Sequence, residues 1–174
     1  MPHSLTLGDQ LIKQVPIKQA ALSPPPSAKW HSPPPLITSP PPLEPPSRLE
    51  LGQLGEQLCA RHLEAEGYEL EALNWRGRSG ELDLVARQGS TLVVIEVRTT
   101  RGDWLERPAE AVTLTKQRQV ARCADEYLRS RPQLAPPVEV IRFDVVGVRL
   151  TPPWSQPEVS FDHEEGAFES PWAF

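Results

Sequence analysis

Four charged side chains crowd two adjoining runs of this 174-residue chain. Glu81 and Asp83 belong to the run GELDLVARQ, and Glu96 and Arg98 to TLVVIEVRTT. Only Gly89 and Ser90 separate them, and glycine at the first of two loop positions suits a type II′ turn that sets Gln88 opposite Thr91. In that register opposed residue numbers sum to 179, so Asp83 lies across from Glu96 and Glu81 across from Arg98. Side chains alternate along a strand, which puts Glu81 with Asp83 and Glu96 with Arg98 on one face. Directly opposed Cβ atoms are about 4.5–5.5 Å apart, close enough for two carboxylates to grip one divalent cation.

The placement is costly unless it has a use. Like charges opposed on paired strands repel, and Leu82, Leu84, Val93, Val94, Ile95 and Val97 mark the hairpin as largely buried. Buried carboxylates need a counter-charge or a metal. Arg98 neutralising Glu81 on a solvated face is the purely structural account. Oxygen ligands for Mg²⁺ or Mn²⁺ are the functional one.

The elements that must position these groups follow from periodicity and punctuation. Ser47 is an N-cap, Leu51, Leu54, Leu58 and Leu63 hold one face, and Gly67 ends a helix expected over Arg48–Glu66. A short strand over residues 68–74 and a polar turn, Trp75–Gly80, lead into strands 81–88 and 91–99. Pro108 opens a second helix reaching about Arg129, and residues 138–150 form another strand. The order α-β-β-β-α-β is an α/β layer arrangement.

These residues carry a family resemblance. Gly80-Glu81-Leu82-Asp83-Leu84-Val85 with Val94-Ile95-Glu96-Val97-Arg98 resembles the core of the PD-(D/E)XK nuclease superfamily. Gly55-Glu56, Asn74-Trp75-Arg76, Ala111-Val112-Thr113 with Lys116, and Arg142-Phe143-Asp144-Val145-Val146 resemble the bacterial YraN-like family of endonuclease-fold proteins, related in fold to archaeal Holliday junction resolvases. The resemblance spans about residues 49–149 and implies a restriction-endonuclease-like three-layer α-β-α core with a mixed sheet. It makes Asp83 and Glu96 a metal-ligand pair for Mg²⁺ or Mn²⁺, with the Val97 carbonyl as a further ligand and Glu56 as an additional acid beside the metal. Glu81 is a ligand or a supporting residue that orients Arg98. The implied reaction is metal-dependent phosphodiester hydrolysis, on branched DNA or another nucleic acid.

Position 98 departs from the superfamily pattern, which has lysine there. A guanidinium stays protonated and cannot act as a base, but it can stabilise charge developing on phosphorus. Residues 47–150 hold 14 Arg and one Lys, Lys116, which is expected to contact phosphate. Arg76 and Arg78 before the hairpin, Arg98, Arg101 and Arg107 after it, and Lys116, Arg118 and Arg122 on the second helix outline a cationic track. Trp75 and Trp104 lie beside it, where an aromatic stacks on a base or plugs the core.

Composition sets the boundaries. Thirteen of 21 prolines fall in residues 1–46, which therefore read as a proline-rich disordered tail, with residues 21–46 favouring extended polyproline form as a spacer or a ligand for a partner. Residues 47–150 carry 15 basic and 16 acidic groups and form the endonuclease-like domain. Residues 151–174 carry five acids and no base, an acidic tail whose aromatics clasp the domain or whose charge competes with nucleic acid for the groove. Cys59 and Cys123 lack clustered ligand spacing and read as reduced, buried thiols. No apolar run is long enough to span a membrane, so a cytoplasmic protein without membrane contact is expected. A homodimer is left open. Beside the enzyme stand two other readings, a non-catalytic nucleic-acid-binding protein and a protein-interaction module recruited through the proline tail. Arg98 separates the first from the second.

Overall fold

The computed structural model describes residues 5–6, 44–102, 107–134 and 137–170. Its strands are β1 (Leu5–Thr6), β2 (Glu69–Gly77), β3 (Gly80–Gln88), β4 (Thr91–Arg101), β5 (Val140–Thr151) and β6 (Glu158–Phe168), and its helices are α1 (Arg48–Ala65) and α2 (Leu114–Arg129). They form one mixed sheet in the order β1-β6-β5-β4-β3-β2. Only β4 and β5 run parallel, joined by the crossover that carries α2. Helix α1 packs Leu51, Cys59, Ala60 and Leu63 against one face, and α2 packs Val120, Ala121, Cys123, Ala124 and Tyr127 against the other. The fold is the expected restriction-endonuclease-like α/β core. Both cysteines are buried and free, and among the described residues no helix is long and apolar enough to cross a membrane.

Local chemistry sets the helix ends. Ser47 and Glu50 form a reciprocal capping box, and Gly67, with φ of 90°, follows the last turn of α1. A Cβ on Gly55 would collide with the Thr99 side chain, so a residue without one lets α1 lie directly on β4. Helix α2 starts six residues later than Pro108 suggests: Thr113 accepts a hydrogen bond from the Lys116 N–H and caps it there, while residues 108–111 make turns. Residues 75–77 extend β2 rather than form a turn, so the β2–β3 connection is reduced to Arg78 and Ser79.

The folded unit also extends beyond the boundary expected at residue 150. Strand β6 pairs antiparallel with β5, and Val159, Trp154 and Phe161 join the core beneath α1. Phe161 stacks on His62 with ring centroids 4.1 Å apart, and Phe168 stacks on Phe143 at 5.1 Å. Apolar residues at these points outweigh the acidic composition, and this part of the segment lies within the sheet as a clasp. Residues 1–46 lie mostly outside the described residues, as do Trp104, Trp172 and Phe174.

Candidate active site

The turn geometry foreseen for the hairpin is present. Gln88 pairs with Thr91 and Leu84 with Ile95, around Gly89 at φ of 61°. The ladder stops at that last pair. Beyond it, the Val97 N–H donates to Asp83 Oδ2 at 2.9 Å, so a side chain occupies the place where the next backbone bond would form.

The cause lies in β2 and β3 together. Leu73 pairs with Leu84 in the α1-side core, whereas Trp75 pairs with Leu82 in the α2-side core. Residues two apart should share a face, so both strands change face between these two pairs, at Asn74 on β2 and at Asp83 on β3. Asn74 makes this turn in the left-handed region, at φ of 53°. Asparagine tolerates that conformation better than most residues. The tip of the hairpin then leans on α2, where Glu126 accepts hydrogen bonds from the Arg78 N–H at 2.7 Å and from Ser79.

Into this gap project Asp83 and Glu96, 9% and 4% exposed. Burial raises both carboxyls; the Asp83 charge adds to it at Glu96, which is pushed up to about 7, while a hydrogen bond with Glu96 works the other way on Asp83 and lowers it. Lys116 of α2 answers them, with Nζ 3.0 Å from Glu96 Oε2. Burial alone would lower the Lys116 ammonium, but the charges of Glu96 and Asp83 outweigh it and hold the group above the usual lysine range. It is therefore a fixed cation rather than a base. From α1, Glu56 accepts a hydrogen bond from the Asn74 carboxamide at 2.8 Å, and its carboxyl is raised by burial and by the charges of Asp83 and Glu81.

The other expected residues divide. Glu81 stands opposite Arg76 and forms an exposed ion pair with it at 3.3 Å, so the pairing with Arg98 is replaced by one across β2. The face change at Asp83 is the reason. Arg98 lies near enough to lower the Glu96 carboxyl, with Lys116 the stronger influence. Arg76, Arg78, Arg101 and Arg118 are exposed, and Arg101 reaches the Pro46 carbonyl at 3.1 Å. Arg107 is tied to Glu110 at 2.9 Å. Trp75 is a core residue, edge-on to Tyr127 at 5.4 Å. Asn74 was not singled out for its chemistry in the sequence, although an asparagine at the head of a polar turn is a known signal of left-handed backbone.

Two buried carboxylates in contact suit a small hard cation, because the ion relieves their repulsion and Mg²⁺ characteristically takes only one or two protein carboxylates. Asp83 and Glu96 would hold it. Among the described residues no group of three or more His, Cys, Asp or Glu is gathered tightly enough to bind a metal, and Glu56 is turned to Asn74.

Comparison with known proteins gives a consistent result. Residues 55–148 match the sequence profile of "Uncharacterised protein family UPF0102". A UPF0102 protein of Nocardia farcinica is 48% identical over 102 residues, covering 59% of this chain and 78% of the relative. One of Symbiobacterium thermophilum is 48% identical over 102 residues, 59% and 84% of the two chains. One of Porphyromonas gingivalis is 38% identical over 117 residues, 67% and 82%.

Proposed function

We propose that this chain, which belongs to the UPF0102 family, the YraN-like family its residues resemble, is a nucleic-acid-binding protein that hydrolyses phosphodiester bonds with a divalent cation. The observation that carries the reading is the buried pair Asp83 and Glu96 with Lys116 set 3.0 Å from Glu96. A protein core has little use for two adjacent acids at a broken ladder, whereas phosphoryl chemistry needs concentrated charge of this kind.

Asp83 and Glu96 would hold Mg²⁺ or Mn²⁺, with the Val97 carbonyl as a further oxygen; such an ion polarises the scissile phosphate and lowers the pKa of bound water. Asp83 is oriented by the Val97 N–H. Lys116 favours the ionised form of Glu96 and faces the phosphate as a fixed positive charge, the electrostatic part that the superfamily pattern gives to a lysine on the strand. Arg98 adds to the same field. Arg76 and Arg78 on the hairpin and Arg118 on α2 supply exposed cations for the flanking backbone.

The test uses the full chain with labelled branched, flap and single-stranded DNA in Mn²⁺ or Mg²⁺, beside EDTA and an Asp83→Asn variant. Cleavage that needs the metal and falls by at least about a hundredfold in the variant is expected. Cleavage indifferent to the substitution would sink the assignment. One observation favours a second reading: Lys116 already compensates the pair, and tight binding without turnover by the wild type would identify a non-catalytic nucleic-acid-binding protein.

A further inference from the structure

Beside the carboxylates lies a recess of about 150 Å³, lined by Gln53, Glu56 and Gln57 of α1 and by Leu73 and Asn74 of β2. Its volume is about that of a cavity that accepts one benzene molecule, so it suits one six-membered ring. Its walls are unlike an apolar void. Three carboxamides and a carboxylate supply donors and acceptors, while Leu73 offers one apolar surface.

The two glutamine amides engage no hydrogen-bond partner among the described residues, although their neighbour Glu56 is tied to Asn74 at 2.8 Å. That bond holds one wall in place and leaves the other amides to a ligand. Asn74 and Glu56 also border the reaction site: Asn74 and Asp83 both lie between the pairs Leu73–Leu84 and Trp75–Leu82, and Glu56 feels the Asp83 charge.

We propose that this recess receives one unstacked pyrimidine base of a single-stranded segment. The inference rests on the reading of the chain as a nucleic-acid-binding protein and adds a base preference to it. A pyrimidine presents a flat single ring to Leu73 and a mixed donor and acceptor edge to the carboxamides and Glu56, whereas the second ring of a purine would project beyond this volume toward solvent. Lodging the base there would bring the strand to the side of Glu56 on which the Asp83 charge acts, with the exposed arginines for the flanking strand. A base within a duplex would first have to unstack, so an unpaired strand is favoured.

Fluorescence anisotropy with the full chain in EDTA tests this without turnover. Oligothymidylate, oligodeoxycytidylate and oligodeoxyadenylate of about twelve nucleotides are the probes, with the matching ribo-oligomers to separate DNA from RNA. Either pyrimidine series is expected to bind about tenfold tighter than its adenylate counterpart, and Gln53→Leu with Gln57→Leu, which removes the amides at similar volume, is expected to erase that preference while leaving the salt-dependent binding. Thermal melting by circular dichroism checks that the double variant folds. Equal affinity for all bases, no binding of any oligomer, or a preference that survives the double substitution would overturn the recess. A preference seen without cleavage in any metal would instead defeat only the nuclease reading, and cleavage with no base preference only this inference.

Discussion

Asn74 on β2 and Asp83 on β3 both fall between the paired rungs Leu73–Leu84 and Trp75–Leu82, and both strands exchange faces of the sheet there. The exchange frees Asp83 from the β3–β4 ladder and turns it onto the Val97 N–H. One left-handed residue thus creates both the gap and the acid that fills it.

Replacing Asn74 separates its two tasks. A non-glycine residue in this conformation costs on the order of 1 kcal/mol. Asn74→Gly removes that cost but releases Glu56, so its stability should stay within about 1 kcal/mol of the wild type. Asn74→Ala loses the bond and keeps the strain, and should be destabilised by about 1–2 kcal/mol. Urea unfolding at fixed pH resolves the two.

The carboxylate pair predicts an unusual pH dependence. Glu96 titrates near 7 in the folded protein against an ordinary 4.5. Between these values the folded state binds more protons than the unfolded one, so stability contributed by this group falls as pH rises through the window. The metal-free protein should melt several degrees lower at about pH 8 than at about pH 5, and Glu96→Gln should flatten the difference. Mn²⁺ should raise the melting temperature at the higher pH in the wild type and fail to do so in Asp83→Asn. A slope of opposite sign would refute the assignment.

Lys116 lowers the Glu96 carboxyl. In Lys116→Met that influence is gone, Glu96 rises further, and the acid limb of the rate profile should move to higher pH while the rate drops by about a hundredfold. Lys116→Arg keeps the charge and should hold the limb near its original place. Single-turnover rates across pH distinguish the two.

A third buried acid does structural work away from the site. Asp144, fully buried, accepts bonds from Arg142 at 2.9 Å, His163 at 2.9 Å and the Gly166 N–H at 2.9 Å. Burial pushes its carboxyl up, but these bonds outweigh it and hold the group below the usual 3.8. Its stabilisation is complete above that ordinary value and is lost as pH falls through the lowered one. Asp144→Ala takes the acceptor from His163 and the Gly166 N–H and leaves Arg142 with Glu165 at 3.0 Å as its ion pair, and should cost about 1–3 kcal/mol, read by denaturant unfolding.

The contact of α1 with β4 gives a steric prediction. In Gly55→Ala the new methyl meets the Thr99 side chain, and a loss of about 1–3 kcal/mol is expected. Adding Thr99→Gly clears the colliding atoms and should return part of it; strict additivity of the two losses would argue against the contact.

Much of this site is legible in the chain because local rules govern it. Gly89 dictates the turn, the turn dictates the Gln88–Thr91 register, and the register brings Asp83 and Glu96 together. The partner of Glu81 is not legible, because the face exchange depends on Asn74 and on a backbone N–H fourteen positions away in sequence from Asp83. The lone lysine of residues 47–150 marks Lys116 as a cation for phosphate, but its bond to Glu96 is not legible, because that depends on where Thr113 starts the helix. Strand β6 hid behind its charge: Val159, Phe161 and Phe168 supply its inward contacts among four acids.

The bulged, kinked strand β2 is the outermost strand at the site end of the sheet. Its ladder shifts between Leu70 and Ala72 and twists again at Asn74. A foreign strand laid along it would find few successive backbone groups in line, and Glu69 and Arg76 add exposed charge. The distortion that opens the acidic gap therefore also guards the sheet against edge-to-edge aggregation, so that straightening this strand by mutation would endanger solubility as well as chemistry.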